Sequence, residues 1–183
     1  VAHVESGLRS FDRTMPEEVN RIITDALSDY LFITEKTGVA NLLKEGVERK
    51  KLFLTGDTMI DSLVHYKNKI SKSGILAKLR LKPDSYILST IHRPANVDNE
   101  ENLSRIIKIF SLISELIRGF DPDFKIVIPM DPRTFKMAEE FDLMQKFRSI
   151  KNLKLIDPSG YIEFIKLLSE SKLVIKDSGG IQE

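Results

Sequence analysis

Apolar residues fall along this chain in short runs separated by longer amphipathic stretches, and the alternation holds almost from end to end. Short runs at Val1–Val4, Tyr30–Ile33, Leu52–Leu54, Tyr86–Ser89, Lys125–Ile128, Leu153–Ile156 and Leu173–Ile175 predict strands. The stretches between them carry helical spacing. In Glu101–Arg118, the clearest, Leu103, Ile106, Ile107, Phe110, Ile113 and Ile117 share one stripe, and Gly119 follows as the expected stop. A further helix is predicted over Phe135–Lys146, after the turn Asp131-Pro132-Arg133-Thr134. Strands alternating with helices in this way predict parallel sheets flanked by helices on both faces.

The series pauses between Ile70 and Asp84, a basic stretch containing Ser71, Ser73, Gly74 and Pro83, and then starts afresh. Residues 1–72 are therefore expected to form the end of one α/β domain, and residues 73–183 most of a second. The chain opens on Val1 inside an apolar run and ends at Glu183 just as Gly179-Gly180-Ile181-Gln182 predicts a helix. Both ends lack the polar composition of fraying termini, so the expectation is a fragment of a longer protein.

Composition narrows the chemistry. Of 183 residues 42% are hydrophobic, enough for one good core or two small ones. The 28 basic and 27 acidic residues nearly cancel, and no basic stripe interleaved with aromatics marks a nucleic-acid surface. No apolar run approaches a membrane span, and a signal pattern is not seen, which leads to the expectation of a cytoplasmic protein. Without cysteine there is no disulfide and no thiolate chemistry, and His3, His65 and His92 are too scattered to suggest a metal site.

Three segments carry candidate chemistry. The first is His3-Val4-Glu5-Ser6-Gly7-Leu8-Arg9-Ser10, followed by Met15-Pro16-Glu17-Glu18-Val19-Asn20-Arg21. Glu5 follows a strand, where open parallel sheets gather their ligands, and Gly7 lets backbone approach closely. Two carboxylates converging from different loops suit proton transfer. Glu17 also has an ordinary reading, since Thr14-Met15-Pro16-Glu17 fits a capping box and Arg21 lies one turn on. In the second segment, His92-Arg93-Pro94-Ala95-Asn96 follows the strand Tyr86–Ser89 and places a proton-carrying side chain beside a cation. The third is Asp177-Ser178-Gly179-Gly180, at the start of the presumed last helix, where backbone N–H groups suit an anion; a plain cap by Asp177 or Ser178 explains it equally well. There is no Walker lysine and no complete dinucleotide fingerprint, which favours a nucleoside phosphate that is bound rather than hydrolysed. Arg133 is within reach of a phosphate in the turn reading, and Phe164 reads first as core and second as a nucleobase contact.

In order, these segments resemble the non-hydrolysing UDP-N-acetylglucosamine 2-epimerases. His3-Val4-Glu5-Ser6-Gly7-Leu8-Arg9 is similar to the family's signature with Ser6 in place of alanine, and Pro16-Glu17-Glu18 with Asn20-Arg21 follows at the expected distance. Gly56-Asp57-Thr58, His92-Arg93-Pro94 and Asp177-Ser178-Gly179-Gly180-Ile181-Gln182-Glu183 complete the likeness, which covers nearly the whole chain. The resemblance implies a GT-B-like fold of two Rossmann-like lobes, both incomplete in this chain, with a UDP-sugar held between lobes in a homodimer. It implies interconversion of UDP-GlcNAc and UDP-ManNAc through elimination and re-addition of UDP, with no cofactor or metal. By the same analogy Glu5, Glu17 and His92 are the catalytic residues. Arg9, Asn20, Arg21, Arg93, Arg133 and Glu183 are implied at the substrate, with Ser178, Gly179 and Gly180 on the diphosphate and Phe164 near the uracil.

Departures from the family pattern are Asp131, where a histidine of a regulatory substrate site is usual, and Ala95, where glutamate is common. Three other readings stand beside the first. A relative acting on diacetamido uronic acid sugars shares the Arg9-Ser10-Phe11 wording; a GT-B glycosyltransferase needs the phosphate loop but not the Glu5–Glu17 arrangement; a binding module needs UDP-sugar affinity without turnover.

Overall fold

A computed structural model describes residues 1–177 of the chain, and Ser178, Gly179, Gly180 and Glu183 lie outside the described residues. The chain divides into two compact units, Val1–His65 and Tyr66–Glu183. Each holds one parallel sheet.

In the first unit the order is β1 (Ala2–Val4), α1 (Pro16–Leu27), β2 (Tyr30–Ile33), α2 (Lys36–Lys44), β3 (Leu52–Leu54) and the start of α3 (Thr58–Ser71). The strands lie side by side in sequence order, β1-β2-β3, with Leu31 opposite both His3 and Leu52. Alternation sets the faces. Leu31 and Ile33 turn toward α2 and are fully buried with Leu42, whereas Phe32 turns the other way and its ring meets Phe53 at 5.7 Å. Gly38, in the first turn of α2, is where the loop after β1 comes closest. A Cβ on Gly7 (φ +81°) would stand 2.6 Å from the Gly38 carbonyl oxygen, so that crossing requires glycine.

The second unit continues with α4 (Ile75–Leu79), β4 (Tyr86–Thr90), α5 (Pro94–Val97), α6 (Glu100–Phe120), β5 (Lys125–Pro129), α7 (Pro132–Glu140), α8 (Met144–Ser149), β6 (Leu153–Ile156), α9 (Tyr161–Ser169) and β7 (Leu173–Lys176). Its sheet runs β6-β5-β4-β7. Ile126 and Ile128 pack with Leu103, Ile107 and Phe110 of α6 and with Phe147 of α8. Val127, between them in sequence, joins Tyr86 and Leu88 against Leu167 of α9. The sheet is thus covered on both faces, as the alternation of strands and helices predicts. The buried Tyr86 hydroxyl donates to the Leu167 carbonyl at 2.6 Å and ties β4 to α9.

Two helix boundaries differ from the sequence reading. Gly119 does not stop α6, which runs on to Phe120; its last turn is exposed, and a glycine there costs too little to unwind a helix held by its buried stripe. The helix expected over Phe135–Lys146 is two helices. It breaks at Phe141–Leu143, where Asp142 takes the left-handed conformation (φ 55°), so that Leu143 and Phe147 can both be buried.

Candidate active site

In the first unit, chemistry collects on the loop that leaves β1. Glu5 sits at φ 63°, a left-handed position that costs a residue with a Cβ about 1–2 kcal/mol. Strain of this kind persists only where neighbouring contacts over-determine it. Here they do. On the next residue, the Ser6 N–H and the Ser6 hydroxyl both donate to the Phe32 carbonyl at 3.0 Å, so the chain rejoins the β2 edge at once. The excursion leaves the Glu5 side chain exposed, with the Thr58 hydroxyl at the head of α3 donating to it at 3.0 Å.

Beneath the loop lies an ion cluster that sequence reasoning missed. Asp25, on the last turn of α1, accepts from the Gly7 N–H at 3.1 Å, meets His3 Nδ1 at 2.6 Å and pairs with Arg9 Nη1 at 2.7 Å. Arg9 also forks onto Glu45, Nε to Oε1 at 2.8 Å and Nη2 to Oε2 at 2.7 Å. The side chains of Arg9 and Asp25 are only 1% and 2% exposed. That corrects the expectation that Arg9 contacts the substrate: its guanidinium faces into the protein, where carboxylates and the Leu8 carbonyl take up its donors. The Glu45 hydrogen bond, opposed by burial and reinforced by Asp25, holds Arg9 well above its ordinary pKa and hence always charged.

A second missed carboxylate is Glu18, which is buried and accepts from the Ser10 N–H at 2.9 Å, the Phe11 N–H at 3.0 Å and Arg21 Nη1 at 3.0 Å. The ordinary reading of Glu17 is corrected accordingly. The N-cap of α1 is Met15 without a side-chain bond, and the partner of Arg21 is Glu18, so Glu17 neither closes a capping box nor pairs with Arg21. Glu17 and Asn20 lie exposed on α1. The available signal was spacing: Glu18 and Asp25 are seven residues apart, two turns along one face of α1.

The Ser10 amide first, against the opposing effect of burial, and then the Phe11 amide, the Ser10 hydroxyl and Arg21, hold Glu18 below the usual carboxylate range. A depressed carboxylate contributes stability that is complete above its unfolded pKa, about 4.3, and is lost as pH falls through its folded one. Glu18→Gln is therefore expected to melt earlier than wild type at neutral pH, by the equivalent of about 1–3 kcal/mol, with the gap closing in acid. Thermal midpoints of the two proteins across pH 7 to about pH 3 provide the check, and a gap independent of pH would remove Glu18 from the acid response.

In the second unit β4, β5 and β6 run outward in sequence order and β7 returns to the far side of β4. The crevice at such a reversal, beyond the carboxyl ends of the strands, is where open α/β sheets bind ligands. Thr90-Ile91-His92-Arg93 leaves β4 there and Asp177 leaves β7. One carboxylate oxygen of Asp177 accepts from the N–H groups of His92 at 3.0 Å and Arg93 at 2.9 Å and from the Asn96 amide at 3.1 Å. The other lies 3.3 Å from His92 Nδ1. Burial pushes the Asp177 carboxyl up, and the Arg93, Asn96 and His92 donors outweigh it, leaving the group below its ordinary range. Asp177 is thus the organiser of the His92 loop, a role that its local sequence as a cap did not suggest.

His92, 43% exposed, lines a shallow pocket of about 170 Å³ with Thr90, Asp131, Pro158, Ser159 and Phe164. Phe164 also packs against the Tyr86–Leu167 core, as its first sequence reading expects. Arg93 is exposed. Arg133 forks onto Asp98 at 2.7 and 2.5 Å, and Asp131 caps α7 by accepting from the Arg133 N–H at 2.9 Å. Capping supplies a physical reason for aspartate at position 131. The structure brings His92 and Phe164 to one pocket, and it places neither Arg93 nor Arg133 in that lining.

Comparison with known proteins completes the picture. A model of the family described as UDP-N-acetylglucosamine 2-epimerase matches residues 1–183. The chain is 44% identical to the UDP-N-acetylglucosamine 2-epimerase of Methanocaldococcus jannaschii over 186 aligned residues, covering all of this chain and 50% of that protein. It is 39% identical to the UDP-2,3-diacetamido-2,3-dideoxy-D-glucuronate 2-epimerase of Pseudomonas aeruginosa, covering 100% of the chain and 48% of the relative. Its structure is similar to the crystal structure of the M. jannaschii enzyme in complex with UDP-GlcNAc and UDP, with a TM-score of 0.85 at 43% identity, over 100% of this chain and 49% of that one. The chain spans about half the length of the curated relatives it matches. Among the described residues no helix is long and apolar enough to cross a membrane, and no group of three acidic or histidine side chains could hold a metal ion.

Proposed function

The chain belongs to the UDP-N-acetylglucosamine 2-epimerase family, and from that premise we propose that the whole protein inverts carbon 2 of UDP-N-acetylglucosamine to give UDP-ManNAc. The observation that carries the proposal is Glu5: an exposed carboxylate, held in a strained conformation at a strand end, with a hydroxyl rather than a cation as its partner. A base needs that setting, since a cation at hydrogen-bond distance would hold the proton-accepting electron pair.

In the proposed reaction a carboxylate removes the carbon-2 proton, the electron pair forms the carbon 1–carbon 2 double bond, and the bond from carbon 1 to the UDP oxygen breaks. The glycal then presents its other face, UDP adds back at carbon 1, and a proton returns to carbon 2 from the opposite side. Glu5 and Glu17 are assigned to proton transfer, and His92 to easing departure of the diphosphate. Arg93, Arg133, Ser178, Gly179 and Gly180 are assigned to the diphosphate, whose departure requires cationic or N–H stabilisation. Phe164 is assigned to the uracil, and Asn20, Arg21 and Glu183 to the remaining contacts with the substrate. A homodimer in the cytoplasm is the proposed setting.

The 39% identity to the Pseudomonas enzyme favours a second reading, in which the sugar is a diacetamido uronic acid. Incubating the whole protein with each UDP-sugar in heavy water, without added metal, tests both. The proposal expects deuterium at carbon 2 of UDP-GlcNAc and growth of UDP-ManNAc, seen by proton NMR. Exchange confined to the uronic acid would select the second reading, and binding without exchange of either would reject epimerisation.

A further inference from the structure

We infer that Asp25 is a positioning residue for catalysis, the anchor through which α1 sets the direction of Glu5; the inference rests on the proton-transfer reading above. One carboxylate touches residues on both sides of Glu5. It meets His3 two residues before, at 2.6 Å, the Gly7 N–H two residues after, at 3.1 Å, and Arg9 four residues after, at 2.7 Å. Asp25 is 2% exposed, and a carboxylate so far from bulk water depends on those donors. Two turns back along the same helix face, Glu18 holds the Ser10 and Phe11 amides, so the loop from 7 to 11 is fixed to α1 at two points. On its other side the loop rests on β2 and α2, through Ser6 to the Phe32 carbonyl and through the Asn41 amide donating to the Gly7 carbonyl at 3.0 Å. The Glu5 side chain is left to face solvent in a left-handed conformation while the residues two before and two after it are pinned by the same carboxylate.

Fixing a base to within a fraction of an ångström matters because displacement by about 1 Å costs on the order of 100-fold in rate. Asp25 touches no reacting atom. Its loss is therefore read through Glu5, and that dependence separates positioning from mere support of the fold.

The test uses the whole protein. Asp25→Asn is expected to lower carbon-2 exchange of UDP-GlcNAc by about 100-fold, leave UDP affinity by calorimetry near wild type, and speed amide exchange at Gly7. In a Glu5→Gln background the same change should cost little more, because the group it positions is already gone. A full additional loss in that background would overturn the inference. Should Asp25→Asn fail to fold, the pair Arg9→Met with Asp25→Leu leaves no unpaired buried charge and is expected to recover stability but not turnover; recovery of both would show the cluster to be structural only. Exchange retained in Glu5→Gln itself would reject the proton role of Glu5 and with it positioning for catalysis, while the Gly7 amide would still report whether Asp25 orders the loop.

Discussion

Replacing Glu5 with glutamine is expected to lower exchange of the carbon-2 proton by about 10²–10⁴-fold, the range that a positioned general base contributes. The substitution is nearly isosteric. Glutamine keeps an oxygen that can accept from Thr58, and the φ of 63° at this position is imposed by the Ser6 and Gly7 contacts rather than by the carboxylate. What disappears is the capacity to take a proton, so kcat should carry the loss and UDP-sugar affinity should change far less. Proton NMR in heavy water measures the exchange, and calorimetry with UDP measures the affinity. Exchange within tenfold of wild type would take Glu5 out of the mechanism and shift the proton role to Glu17, which stands exposed in the first turn of α1.

The fold was largely legible because its signals are local. Among the described residues all seven strands fall where short apolar runs stand, and their parallel pairing follows from the helices between them. The break at Asp142 escaped notice because Phe135–Lys146 keeps a helical spacing, and only the need to bury Leu143 and Phe147 together interrupts it. As candidates, Glu5 in the first unit and His92 in the second could be picked out by position after a strand, a rule that needs no knowledge of partners. Asp25, Glu18 and Glu45 could not. The donors they serve lie 18 residues from Asp25, 7 and 8 from Glu18, and 36 from Glu45, and on a helix surface each would pass for a solvated charge. The same distance misled the reading of Arg9. The family resemblance implied a substrate contact for Arg9, and only the fold reveals that two carboxylates take up its guanidinium.

Arg9→Met is the substitution expected to cost the fold most, about 3–5 kcal/mol, the usual result of orphaning one member of a buried ion pair. The two carboxylates that lose their partner are not equivalent. Glu45 is 39% exposed and can turn to water, so its share is small. Asp25 is 2% exposed and keeps only the Gly7 N–H and His3 as neighbours, too little to replace a guanidinium. Against the roughly 5–15 kcal/mol that stabilises a typical domain, that loss is about a fifth or more. Arg9→Lys should fall between, since an ammonium can reach Asp25 or Glu45 but cannot fork onto one while bonding the other. The effect should appear as a lower urea midpoint for the transition that exposes β2, followed by amide exchange at Leu31 and Ile33, with the rest of the chain less affected. A midpoint within about 1 kcal/mol of wild type would mean that water or another cation reaches Asp25, and the case for a dry anchor beneath the Glu5 loop would fail with it.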